Sequence, residues 1–311
     1  MDAGSTHVTG GAARAAPAGG LKLSVLMPVH NENATVSAAV ADVLGMDLGH
    51  PFELVIVDDG STDGTSQLLE SIVDQRVVVY RHPVNLGKGA AVLSAASLAT
   101  GSHFVIFDAD REYRAADLAR MLAPIADGTA EVVFGVRMFG MNTVYHSFRY
   151  ALGNRATTFV ANLLFDACLT DLHSCLKMMP AEVFRSLNLT RANFGLDSEI
   201  TAELLRRGYR PYEVPVSYVG RSHAEGKKIT WRDGFDCLRV LASVRLRPRA
   251  AGRVGPDKQP LGQVGPALGS RPPLRVVKEE QEEVILLGSE VDVREGAKAA
   301  APVVSWAKET R

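Results

Sequence analysis

The chain has 311 residues, 46% of them hydrophobic and 22% charged, an ordinary globular composition with room for one large or two medium domains. A formal net charge of −1 gives no global field to gather a polyanion, so nucleic acid is not favoured and an electrostatic partner must be drawn by a local patch. Cys168, Cys175 and Cys237 have no C-x-x-C spacing; they argue against a disulfide framework or a zinc site, fit a reducing compartment and read as small apolar residues.

Residues 1–20 read as a flexible lead-in without the apolar stretch of a signal peptide. Five β-branched runs then follow, "LSVLMPV", "FELVIVDD", "RVVVYRH", "HFVIFDAD" and "EVVFGVR". They are apolar throughout instead of alternating, which predicts strands buried on both faces in an α/β, mostly parallel sheet flanked by helices. The helices are expected over 34–44, 65–73, 89–100 and 115–125, with Ser61 and Asp63 as caps near the start of the second. A longer helix is expected over 145–164, followed by a polar turn, two further segments, "KMMPAEVFRSL" and "LDSEITAELLRRGY", and a strand in "RPYEVPVSYVG". No run reaches the ~20 apolar residues that span a bilayer. From residue 250 Gly, Pro and then charge dominate, so 250–311 reads as a mostly disordered tail.

Ligands of open α/β sheets sit beyond the carboxyl ends of the strands. Three such ends carry polar clusters: Pro28 to Asn33, Val57 to Asp63 and Asp108 to Glu112. On an extended backbone Asp108, Asp110 and Glu112 point the same way, and three converging carboxylates suit a divalent ion such as Mg²⁺ or Mn²⁺ that holds a diphosphate. Alone, such a cluster is more commonly a solvated acidic strand end. Asp58 and Asp59 can accept from a nucleobase and a ribose hydroxyl. In "NLGKG" Lys88 stands at a helix start whose free N–H groups suit an anion, or else the stretch is a plain turn with a surface lysine.

Taken in order, "SVLMPVHNENATV", "ELVIVDDGSTDGT", "HPVNLGKGAAV" and "FVIFDADREY" resemble the family 2 glycosyltransferases of the GT-A fold. "DLHSCLKMMPAEVFRSLNL", "NFGLDSEITAELLRRGYRPYEVPVSYVGRS" and "EGKKITWRDG" resemble the subgroup that makes polyprenyl-phosphate sugars, the dolichyl-phosphate mannose or glucose synthases and their bacterial relatives. The resemblance covers about residues 22 to 247, so a GT-A domain over 21–249 is expected. It implies an inverting transfer of a hexose from a nucleotide-sugar, UDP-glucose in preference to GDP-mannose, to polyprenyl phosphate.

By the same resemblance Pro28, His30, Glu32, Asp58, Asp59, Lys88 and Asp108 hold the nucleotide-sugar, and Asp108, Asp110 and Glu112 hold the metal. Relatives often carry Gln at the last of these and Leu where this chain has Arg111. Arg137, Arg155, Arg221 and Lys227 or Lys228 match positions that grip the acceptor phosphate. Asp110, Asp197 and Arg221 are the expected catalytic residues, Asp197 being shorter than the glutamate common at its position.

From Arg221 to Arg249 eight Lys and Arg stand against three Asp and Glu, a net of +5, and Trp231, Phe235, Leu238 and Leu241 recur at helical spacing. That stripe either lies at an anionic membrane surface or packs on the core. The expected location is cytoplasmic, peripheral at the cytoplasmic face of a membrane, with a membrane protein as a partner for stable attachment. Two rivals remain: a transferase acting on a hydroxyl acceptor, and a non-catalytic nucleotide-sugar-binding protein.

Overall fold

The apolar runs become strands β1 (Leu23–Val29), β2 (Phe52–Asp58), β3 (Val77–Arg81), β4 (His103–Ile106) and β5 (Val133–Val136). Between them lie helices α1 (Val36–Leu44), α2 (Thr65–Glu70), α3 (Lys88–Leu98) and α4 (Asp117–Ala126), close to the expected ranges. The second part of the chain adds β6 (Thr143–Val144), α5 (Phe148–Phe165), β7 (Lys177–Pro180), α6 (Ala181–Ser186), α7 (Leu196–Arg206), β8 (Tyr212–Pro215), β9 (Tyr218–Val219) and α8 (Trp231–Leu246). The computed structural model describes residues 20–137, 143–144, 148–193, 195–221 and 231–247; the expected tail 250–311 and residues 1–19 of the expected lead lie outside them.

Seven strands pair in the order β3-β2-β1-β4-β7-β5-β8, and β6 pairs with β9 apart from them. Four of the six pairings in the large sheet are parallel, and β7 runs antiparallel between β4 and β5. The sheet is thus mostly parallel, as its apolar strands imply, but with one reversed strand between β4 and β5. Pro180, the last residue of β7, caps α6, and Ala181 N–H closes on the Ser102 carbonyl beside β4.

The expected single strand over 210–220 is broken in two. The Ser217 N–H leaves the sheet to bond the Asp117 carboxylate at 2.7 Å. One apolar core fills the space between the sheet and its helices, and a second joins α5, α7 and α8. In that second core Leu241 is buried and Leu238 half-buried, whereas Phe235 is exposed. The α8 stripe therefore divides, with its inner side serving the core.

Candidate active site

β1, β2 and β4 run parallel, so their carboxyl ends open on one edge of the sheet. Pro28 lies in β1 opposite Val57. Beyond β1, His30 donates from Nδ1 to the Asp59 carbonyl (2.8 Å), and Asn85 donates to its Nε2 (2.9 Å). Glu32 accepts from Thr35 Oγ1 and from Arg221 Nη2, both at 2.9 Å.

Asp58 and Asp59 are buried. Asp58 accepts from Ser61 N–H (2.9 Å) and Ser66 Oγ; Asp59 accepts from Leu86 N–H (2.9 Å), Gly87 N–H (2.7 Å) and His82 Nδ1 (2.7 Å). Both carboxylates thus tie the loops of the site together, a role the sequence reading did not give them.

The expected open helix start at "GKG" is corrected. Gly89 and Ala90 donate their N–H groups to the Ala192 carbonyl at 2.7 and 3.3 Å, so these donors are already engaged. Gly87 has φ +98°, and a Cβ on Gly87 or Gly89 would stand 2.3 or 2.2 Å from the carbonyl oxygen of Ala192 or Arg191. The glycines admit that backbone to the start of α3, and the cation offered to the site is Lys88.

Lys88 Nζ lies 2.8 Å from Asp108 Oδ2 and 3.4 Å from Asp197 Oδ2. Burial opposes the lysine charge, but the two carboxylates outweigh it and hold its pKa well above the usual range. Asp197, in the first turn of α7, also faces Lys177 Nζ at 3.8 Å from Oδ1, an oxygen that makes no hydrogen bond. Burial raises the Asp197 carboxyl, but Lys88 and Lys177 prevail and keep it below the ordinary carboxylate range. Lys177 is fully buried in β7, and that burial pulls its pKa down against the attraction of Asp197. A lysine inside the apolar run "CLKMM" was the available signal for it.

The expected convergence of three carboxylates is also corrected. β4 ends at Ile106, the chain turns, and Arg111 adopts φ +60°. Glu112 is thereby carried away to accept from Tyr218 Oη (2.9 Å) and Arg221 N–H (2.7 Å). Among the described residues no three His, Cys, Asp or Glu side chains gather around a point fit for a metal ion. Asp108 and Asp110 remain. Burial, then Asp108 and Glu112, push the Asp110 carboxyl up to about 7. Two carboxylates, one made costly to ionise by burial and like charge, fit a hard cation that completes its shell with substrate phosphates. Arg111 takes no part and pairs with Asp42 at 3.6 Å on the surface.

Arg221 is at the cluster, donating from Nε to the Asp110 carbonyl (2.9 Å) and from Nη2 to Glu32. Arg137 is not available as expected: its fork grips Asp171 from Nε (2.7 Å) and Nη2 (2.8 Å), and Tyr218 covers its guanidinium at 4.9 Å. Asp171, in the "DLHSC" stretch, is fully buried, is held far below the ordinary carboxylate range against its burial by Arg137, and also accepts from Asn154 Nδ2 at 2.8 Å. Its neighbour His173 is pushed down to about 4 by burial and by Arg137, which leaves it neutral. Arg155 is exposed on the outward side of α5 and is not brought to the cluster; Lys227 and Lys228 lie outside the described residues. Asp171 and Lys177 are the residues the sequence reading missed.

The family model for glycosyl transferase family 2 matches residues 24–187. Among curated proteins, glycosyltransferase AglJ of Haloferax volcanii is 29% identical over 198 residues, covering 63% of each chain. Glycosyltransferase AglD of the same organism is 26% identical over 253 residues, 77% of this chain and 40% of its own. The chain thus spans less than two thirds of the length of either. Among solved structures, glucosyl-3-phosphoglycerate synthase from Mycobacterium tuberculosis in complex with Mn²⁺, uridine diphosphate and phosphoglyceric acid superposes with a TM-score of 0.57 at 20% identity, over 74% of this chain and 81% of that one. The uridine diphosphate complex of the same enzyme gives 0.58 at 18% identity, over 74% and 82%. These likenesses show that the fold is GT-A.

Proposed function

The chain belongs to glycosyl transferase family 2, and on that footing we propose that it is an inverting hexosyltransferase that moves a sugar from a nucleotide-sugar to the phosphate of polyprenyl phosphate. The transferase domain is taken as residues 21–249. UDP-glucose is the donor favoured over GDP-mannose, on the wording of "DLHSC" and "EGKKITWRDG" and on the uridine diphosphate held by the synthase of like fold. The place of action is the cytoplasmic face of a membrane.

The observation that carries the choice of acceptor is Asp197 between two lysines. A carboxylate held below its usual pKa accepts a proton poorly, so it serves badly as the base a hydroxyl acceptor requires. A phosphate oxygen is already ionised at neutral pH and needs none. It attacks the anomeric carbon, the bond from that carbon to the diphosphate breaks, and the nucleoside diphosphate leaves with the electron pair.

Lys88 stands where charge develops on the leaving group, and Arg221 fixes the Asp110 loop against Glu32. Mg²⁺ or Mn²⁺, held by Asp108 and Asp110, would neutralise the diphosphate. His30 and the loops tied by Asp58 and Asp59 form the wall for the nucleotide. Lys227 is the remaining candidate for the acceptor phosphate, together with Arg221.

The test is transfer of radiolabelled sugar from UDP-glucose, and separately GDP-mannose, to a polyprenyl phosphate with Mg²⁺ or Mn²⁺ and with EDTA. Label in the lipid phase only with metal supports the proposal and names the donor; metal-dependent donor hydrolysis without lipid product overturns the acceptor. A second reading, transfer to a hydroxyl of a small phosphorylated acid, draws on the unbonded Asp197 Oδ1 and on the phosphoglyceric acid of the like-folded synthase. Phosphoglyceric acid as acceptor decides it. Turnover in the wild type that is lost in Asp110→Ala excludes a non-catalytic role.

A further inference from the structure

α5 presents two different sides. Its inner side carries Asn154, Thr157, Thr158, Ala161 and Phe165, all buried against the Asp171 turn and the second core. Its outer side carries Phe148 (76% exposed), Leu152 (54%), Phe159 (68%) and Leu163 (73%), with Arg155 exposed among them. At about 100° per residue these five positions fall within roughly 80° of one another, so they form one stripe along the whole helix. Four large apolar side chains this exposed in one row mark a contact surface, whereas scattered ones would need no explanation.

Charge selects the occupant. α5 contains Arg149 and Arg155 and no Asp or Glu. A second copy packed antiparallel about the midpoint of the stripe would set Arg155 against its own counterpart, with no acid on either helix to compensate. An anionic bilayer meets both features, since it takes the apolar side chains among its acyl chains and pairs Arg155 with headgroup phosphates. Among the described residues no helix is long and apolar enough to cross a membrane, so α5 would lie on the bilayer instead of spanning it.

We propose that the outer stripe of α5, from Phe148 to Leu163 with Arg155 at its centre, is a surface that seats the protein on an anionic membrane. This deepens the polyprenyl-phosphate reading and rests on it in that the acceptor is lipid-borne. The same helix serves both ends: Asn154 on its inner side bonds Asp171, which holds Arg137 beside the site, while the outer side faces lipid.

The experiment is flotation of the full chain with vesicles of phosphatidylcholine alone or with about a third phosphatidylglycerol, for the wild type and the Phe159→Ser/Leu163→Ser double variant. Metal-dependent hydrolysis of the nucleotide-sugar, which needs no lipid, and circular dichroism are measured alongside. The expected result is flotation of the wild type with the anionic vesicles, at least tenfold weaker flotation of the variant, and unchanged donor hydrolysis and folding. Arg155→Gln should reduce anionic flotation several-fold. Equal flotation of wild type and variant, or none by the wild type, overturns the surface. So does a wild type that sediments as a dimer and a variant that sediments as a monomer. If the stripe drives flotation while no label reaches polyprenyl phosphate, the surface stands and the acceptor assignment fails.

Discussion

Lys88, in the first turn of α3, reaches Asp197, in the first turn of α7 and 109 positions further along the chain, at 3.4 Å. With its 2.8 Å contact to Asp108, the lysine joins the loop after β4 to the start of α7. Replacing it by methionine keeps most of the volume and removes the charge. Transfer should fall about 10²- to 10³-fold in kcat at saturating metal, the loss typical when one preorganised group stabilising a developing anion is removed. Steady-state transfer of labelled sugar measures this, and a wild-type kcat in Lys88→Met would remove the lysine from the reaction.

Asp110 is raised to about 7, so without a cation it keeps its proton in acid and loses it near neutrality. A cation needs the carboxylate and must compete with that proton. Apparent Mn²⁺ affinity should fall about tenfold for each pH unit below 7 and level off above it. Titration calorimetry from pH 5.5 to 8.5 reads this slope, and Asp110→Asn should bind weakly at every pH.

The pair of Arg137 and Asp171 is buried and bidentate, at 2.7 and 2.8 Å. Breaking one side leaves an uncompensated buried charge, so Asp171→Asn and Arg137→Met should each cost about 3 to 5 kcal/mol of stability. The double variant should cost much less than their sum. Urea unfolding of the four proteins provides the cycle. A change in the acceptor KM without loss of stability in Arg137→Met would return that arginine to the phosphate role expected of it.

At the opposite ends of the strands, Glu53 binds Lys22 at 2.6 Å and accepts from Ser24, Thr100 and Gly101. Burial opposes its charge, yet these partners lower its pKa from 4.5 to about 2. Its contribution is therefore fully present above about pH 4.5 and is lost as pH falls toward 2, a change on the order of 2 to 3 kcal/mol. Glu53→Gln should flatten the acid limb of a stability curve over that window, measured by urea midpoints at stepped pH, and be less stable than the wild type at pH 7.

Much of the frame was legible because its signals are local. Leu23 to Met27 and Leu54 to Val57 are buried without alternation, and that alone places a parallel sheet and its carboxyl edge. The acidic pair Asp108 and Asp110 falls at that edge because β4 ends just before it. The reversal of β7 was not legible, since "KMMP" is too short for periodicity to separate strand from helix, and its direction depends on what β4 and β5 leave between them.

The sequence by itself determined the first five strands, the order of the motifs and the family they belong to, because apolar runs, glycine turns and carboxylate spacing are properties of neighbouring residues. The tertiary structure alone decided which partner each charge meets. Arg111 turns left-handed and sends Glu112 to Tyr218, the Ala192 carbonyl closes the start of α3, and Asp171 takes the fork of Arg137. These outcomes follow from charges and backbone groups meeting the nearest hydrogen-bond partner in space, and in these three that partner comes from 34 to 106 positions away along the chain.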